Sequence, residues 1–309
     1  MKPDGIFHRV SGGPVDWITV CAAFGGGMWG AAVGAVPAFI FTGVLALLGA
    51  AAAASGHKEL VGVAFGPFFG PHVSFGGGVA AAAYAAARGK LPTGRDIGSA
   101  LMSLKSVDVL LVGGLFGVAG FLVNWGLASI GAANWTDTIA FTVVLTNIGA
   151  RLIWGKSSVF GTVTAPSGRR FQPDDSATWL PWQQDFTHVL AIGLAVGVAG
   201  AYLASRSGLS AGADALAFGI ATTVLVFLIM GHKVPVTHHI ALPAALGVLH
   251  GAGFAGGVIC GMAGAVLGEI GSRVFLIHGD THIDPPAIGI ALVVLSLKIA
   301  VALGLLLPL

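Results

Sequence analysis

Only two glutamates occur in this 309-residue sequence, and one of them, Glu269, sits inside the apolar run GAVLGEIGSRV. Lys298 is placed in the same way, near the middle of LVVLSLKIAVALG. An ionisable side chain in such a run costs about 2.5–3.5 kcal/mol to insert into a bilayer and marks function by default. The two are expected to pair, either as buried charge for gating or coupling or as a clamp between helices. Asp137 and Asp214 stand near the starts of apolar runs, where Asp caps a helix N-terminus well.

Histidine is the other reactive type. Six of the ten, His232, His238, His239, His250, His278 and His282, fall in the last third of the chain. Imidazole can shuttle a proton, ligate a metal or hold a polar solute near neutral pH. The spacings do not form a metal motif, since there is no HExxH and no paired Cys/His set. No metal or cofactor is therefore expected. His72 and His250 each stand at a break in an apolar stretch, FGPFFGPHVSFGGG and HHIALPAALGVLHGAGFAGG. The expectation is that they face one another across a solute pathway, together with Glu269 and Lys298. His282 and Asp284 lie in HIDPPA, which reads as a helix start: Asp caps and Pro is tolerated in the first turn.

These residues need elements to hold them. Of the 309 residues 55% are apolar and 9% charged, and the mean hydropathy is +0.89. A soluble domain carries about 25% charged residues. That excludes a soluble enzyme and a disordered chain. The absence of Lys/Arg clusters excludes a nucleic-acid binder. Long apolar runs without a two-residue alternation exclude a barrel, and the 49 glycines suit close-packed helices. Cys21 and Cys260 lie in apolar runs and read as packing residues.

The fold class is all-α and polytopic, one integral membrane domain over 1–309. Seven crossings are expected at 15–35, 37–56, 107–130, 134–154, 186–206, 209–231 and 287–308. Two broken re-entrant or hairpin elements are expected at 59–88 and 234–272, where Pro and Gly interrupt the helix. Basic residues favour the cytoplasmic side. With 59–88 going in and returning, the N-terminus, 88–106 and 151–185 all face the cytoplasm of a plasma membrane. The loop 156–185, with Asp174, Asp175, Trp179 and Trp182, is cytoplasmic.

Internal repeats are visible. GVAG recurs at 117–120 and 197–200, and DTIAF at Asp137 answers DALAF at Asp214. Lys156 and Lys233 follow those aspartates at equal spacing. Repeat-like halves are expected at 15–156 and 186–309, and a second match relates 15–88 to 189–272 in the same orientation. Gly26/Gly30/Gly34, Gly113/Gly117, Gly193/Gly197 and Gly253/Gly257/Gly261 form packing stripes, some of which could join copies of the chain.

The function expected from this pattern is transport, by a channel or permease, of a small solute between the repeats. No nucleotide-binding loop is present. Two alternatives use other features: an intramembrane metal-dependent enzyme or metal-handling protein on the C-terminal histidines, and a non-catalytic subunit of a larger membrane complex.

Overall fold

The computed structural model describes residues 15–57, 60–163, 168–172, 178–206 and 212–309. Asp174 and Asp175 and the first 14 residues lie outside the described residues. Within them the chain is helical, with no strand. In chain order the helices are α1 Trp17–Val33, α2 Ala35–Ala54, α3 Val61–Ala64, α4 Ser74–Ala87, α5 Val107–Ser129 and α6 Thr138–Trp154. There follow α7 Phe186–Ser205, α8 Ala213–Thr223, α9 Leu225–Ile229, α10 His238–Gly247, α11 Gly253–Gly271 and α12 Pro285–Ala302. Single π-helical turns, Val248–Ala252 and Ser272–Leu276, extend α10 and α11. Five helical stretches are long and apolar enough to cross a membrane: Ala35–Ala54, Val107–Ser129, Phe186–Ser205, His238–Leu276 and Pro285–Ala302. Trp17–Val33, Thr138–Trp154 and Ala213–Ile229 are apolar and shorter. The chain is a membrane-embedded helical protein.

Close contacts give the helix directions. Gly49, Thr42, Phe39 and Ala35 of α2 meet, in that order, Val61, Phe69, Phe75 and Gly78. The stretch from α3 to α4 therefore runs once along the whole of α2, antiparallel to it. The re-entrant element expected at 59–88 is instead a single broken pass. Pro67, Pro71 and the turns between them replace the helix over its first half.

The second broken stretch, 234–272, does go out and back. His239 lies against Gly264 and Gly268, and Ala244 against Gly257. The turn needs a left-handed backbone at Gly251 and Gly253, with φ of 87° and 70°, which glycine supplies without strain. Its tip reaches beyond the end of α12, because the Leu307 N–H donates to His250 O and His250 Nδ1 meets Leu307 O, both at 2.8 Å.

Among the described residues, one end of the bundle is a polar cap built from 88–106, 155–163, 168–172, 178–185, 230–237 and 272–284. Gly94 N–H donates to Asp280 O, and His282 N–H returns a bond to Gly94 O. Gln183 exchanges two hydrogen bonds with the backbone of Val236. Arg151 is fully buried beneath the cap and donates to Val159 O, Phe275 O, Thr281 O and Thr281 Oγ1. α1 ends at this cap, where Val36 N–H meets Ile97 O, while α7 begins at it. Trp17 thus lies at the opposite end of the bundle from 88–106, and the N-terminal residues expected on the cytoplasmic side lie outside the described residues. α1 and α7 also run in opposite directions, so 15–88 and 189–272 are not oriented alike.

The packing recurs within the chain. α1 packs mainly on α4 and α5, and α7 mainly on α10 and α11. Contacts of α2 with α8 and of α6 with α12 join the two groups. The glycine stripes serve these crossings: Gly27 meets Gly113 and Gly117, and Gly197 meets Gly261.

Candidate functional site between four helix starts

α4 and α10 are too short to span a bilayer. At about 1.5 Å per residue their helical parts extend about 21 and 15 Å, against about 30 Å of hydrocarbon. α4 begins at the level of the middle of α5, where the carbonyl of His72 lies against Gly120. α10 begins at the level of the middle of α11, with His239 against Gly264 and Gly268. From there α4 runs toward the cap and α10 away from it.

Both starts open on one cavity of about 560 Å³, which Phe75 of α4 and His238 of α10 help to line. Two further helices start on it. Asp137 caps α6 by accepting from Ala140 N–H, and Asp284 caps α12 by accepting from Ala287 N–H, each at 2.8 Å. An Asp three residues ahead of an N–H that needs a partner explains both starts, and Pro285 and Pro286 fit the first turn of α12. The cavity lies between α2, α6, α8–α9 and α12, with 93–98 and 178–182 of the cap as its lid.

Its walls are aromatic: Phe39, Phe65, Phe75, Trp179, Trp182 and Phe218. One polar corner is His238, His282 and Asp284, and Arg95 and Asp96 on the lid and Asp137 at the far end are the cavity's other charged lining residues. His282 Nε2 meets Asp284 Oδ1 at 3.1 Å, and Asp284 N–H donates to Asn147 Oδ1 at 3.2 Å. The His238 ring is buried edge-on against Phe39, 4.8 Å between centroids, and its Nδ1 has no hydrogen-bond partner. Such a site combines a broad apolar wall with a few convergent polar groups, as small-molecule sites do.

The residues expected from the sequence separate into three places. His282 and Asp284 line the cavity, at the helix start expected for them. His72 is buried in the break before α4 and lines neither cavity, and His250 sits at the hairpin tip, so the two imidazoles do not face one another. Glu269 is bound by Arg273, Nε to Oε1 at 2.7 Å, one helical turn on. Arg273 also donates to Phe171 O and Gln184 O, which ties α11 to the cap. Lys298 lies elsewhere, in a pocket of about 50 Å³ with Asp137, Asp214 and His250. The expected Glu269–Lys298 pair is therefore replaced by Glu269–Arg273. Arginine one turn away reaches the carboxylate through Nε, while its two terminal nitrogens bind the carbonyls of the cap.

Two roles were not read from the sequence. Asp137 is a wall of both cavities, and Arg151 organises the cap from inside. Asp280 belongs to that cap. Burial pushes its carboxyl up, but bonds from Ser157 Oγ and the Lys156 N–H outweigh this and leave it below the ordinary carboxylate value. Among the described residues, no three His, Cys, Asp or Glu side chains are grouped to hold a metal ion.

Comparison with curated proteins and with solved structures gives no match. A family model matches the chain in two stretches, residues 13–173 and 165–308. Nearly the whole chain is covered, and it belongs to that family, which is described as a family of unknown function (DUF7973).

Proposed function

We propose that this protein is a membrane transporter made of two inverted repeats, 15–156 and 186–309, which moves a small solute through the cavity between them. Five passes fall in each half: α1, α2, α3–α4, α5 and α6, then α7, α8–α9, α10, α11 and α12. An odd number of crossings turns the second copy upside down, which agrees with the opposed directions of α1 and α7. The two stretches of the family match divide the chain at the same place. Ten of the fifteen Lys and Arg lie at the cap (Arg88, Lys90, Arg95, Lys105, Arg151, Lys156, Arg169, Arg170, Lys233 and Arg273), which supports a cap on the cytoplasmic side of a plasma membrane.

The observation that carries the reading is the convergence of two half-helices, running in opposite directions, on one cavity at mid-depth. Inverted repeats with broken helices at the midplane are the common architecture of secondary transporters. Irregular backbone at that depth costs several kcal/mol per unpaired group unless protein covers it or it lines a wet cavity. Away from the cap the cavity closes at Asp137 and Ile139, which also wall the small pocket beyond. A cavity closed at one end fits a carrier better than an open channel.

The test is accessibility. A cysteine at Ala140, on the cavity wall, is placed in a background where Cys21 is Ser and Cys260 is Ala. A membrane-impermeant thiol reagent should label it from both faces in oriented vesicles. Labelling from the cap side alone, under every condition, would overturn the carrier.

A further inference from the structure

We propose that the small pocket beyond Asp137 is a proton-exchange site, in which Asp137 and Asp214 carry a proton that Lys298 and His250 help to move, and that this site couples proton movement to solute movement. The inference rests on the carrier reading above and adds its driving ion.

The pocket's size is the first observation. About 50 Å³ holds one or two waters, each occupying about 30 Å³ in the liquid. Asp137 and Asp214 line it together with Lys298, His250 and Leu309, the chain's last residue. α4 and α5, which also pack on α6, add no charge at this depth. α4 has no ionisable residue except Tyr84, and the one acid of α5, Asp108, stands at the cap end with Lys90.

The second observation is how poorly these groups are paired. Asp214 is 3% exposed, and its carboxylate accepts from the adjacent Ala215 N–H at 2.9 Å. Ion pairs among the described residues are Lys90–Asp108, His188–Asp185, Arg273–Glu269 and His282–Asp284, and Lys298 is in none of them. A structural clamp would hold the amine on one carboxylate. Here an amine shares a water-sized space with two. The pocket thus gives one amine two carboxylates and one imidazole with which to exchange a proton through one or two waters. His250 Nδ1 meets Leu307 O, a carbonyl that can only accept. The neutral ring therefore carries its proton on Nδ1 and leaves Nε2 as an acceptor.

Asp137 makes the coupling physical. It borders both spaces, and one of its oxygens holds the start of α6 through Ala140 N–H. A proton on Asp137 weakens that cap on the wall that solute touches through Ile139 and Ala140. The step is a plain transfer: water on one face protonates a carboxylate, and the acid gives its proton to water on the other face. No electron moves.

The experiment uses the cysteine at Ala140, labelled from each face at equal pH on both sides. The ratio of the two labelling rates cancels the thiol's own titration. In the parent the ratio should change by about tenfold or more between about pH 5.5 and about pH 8.5, since one coupled proton allows up to about tenfold per pH unit. Asp214→Asn should flatten this to under about twofold, and Lys298→Gln should move its midpoint by about one pH unit or more. Lys298→Gln carries the test if Asp214→Asn does not fold. Labelling from both faces with no pH dependence in the parent would overturn proton coupling and leave the carrier standing. An unchanged pH profile in both variants would overturn it too. Labelling from the cap face alone at every pH would remove the carrier, and the coupling with it.

Discussion

Arg151 offers the sharpest measurement of what holds the cap on the cavity. Its guanidinium is fully buried and serves three backbone carbonyls, those of Val159, Phe275 and Thr281, plus the Thr281 hydroxyl. Arg151→Met keeps the length and apolar stem and removes every donor. Each buried carbonyl left without a partner costs about 1–3 kcal/mol. The bonds to Val159 and Phe275 are only partly buried, so water can replace some of them. The sum is about 3–5 kcal/mol. Arg151→Lys keeps the charge, but one ammonium cannot span carbonyls that a planar fork reaches on several sides. It should lose about 2 kcal/mol. Unfolding by titration with a denaturing detergent reads both. His282 follows Thr281 directly, so the same variants should also raise the labelling of a cysteine at Ala287 from the cap side. A loss below about 1 kcal/mol for Arg151→Met would refute the reasoning, because a buried fan of bonds cannot be that cheap to remove.

Gly120→Ala should destabilise by about 1–3 kcal/mol or more in the same titration, since its Cβ would lie 1.8 Å from His72 O. Gly126→Ala on the same helix meets nothing within 4 Å, and its stability should hold level or rise by up to about 1 kcal/mol. Glu269→Gln and Arg273→Gln should couple strongly in a double-mutant cycle, whereas Glu269→Gln and Lys298→Ala should add within about 0.5 kcal/mol because they share no contact. Asp280 is depressed in the folded protein, so its contribution is fully present above the ordinary carboxylate value of about 3.9 and is lost as pH falls through its lower folded value. Asp280→Asn should therefore flatten the acid limb of a stability profile below about pH 4 and lower the plateau above it.

Composition and run length made the membrane class and most helix positions legible, because the bilayer selects for them directly. Capping chemistry was legible at two of its three expected places, since α8 starts from Gly212 and Asp214 lies inside its first turn rather than capping it. Asp137 and Asp284 each sit three residues before the N–H they accept from, and both helices start where those residues stand. What could not be read was depth. Pro67, Pro71 and Gly251 mark breaks equally well, yet the first breaks a single pass and the last turns a hairpin. The difference lies in which partner each stretch follows, α2 for 60–87 and α11 for α10, and local sequence does not carry that. Glu269 and Lys298 failed as a pair for a related reason. A carboxylate takes the nearest well-shaped donor, and Arg273 was one turn away while Lys298 was on another helix.

In the proposed five-plus-five scheme the matched motifs do not fall on equivalent helices: GVAG lies on α5 and α7, and Asp137 and Asp214 stand at the starts of α6 and α8, whereas the scheme pairs α5 with α11 and α6 with α12. Inverted copies place equivalent loops on opposite faces, and the membrane imposes opposite charge rules on those faces. The α4–α5 connection, 88–106, carries Arg88, Lys90, Arg95 and Lys105 at the cap, while its counterpart between α10 and α11 is a tight turn at Gly251 and Gly253. The α1–α2 connection is the single residue Gly34 at the cap, and its counterpart on the other face, between α7 and α8, includes Arg206. Loops therefore diverge first, and likeness survives only where both copies do the same work at mid-depth. Asp137 and Asp284 are such a pair, one starting the last helix of each half and both walling the cavity. Their surroundings differ all the same. Asp284 is held by His282 and by Asn147, whereas Asp137 opens on the pocket with Lys298. In the proposed carrier the two residues would therefore do different work, Asp284 at the solute cavity and Asp137 at the border with the small pocket.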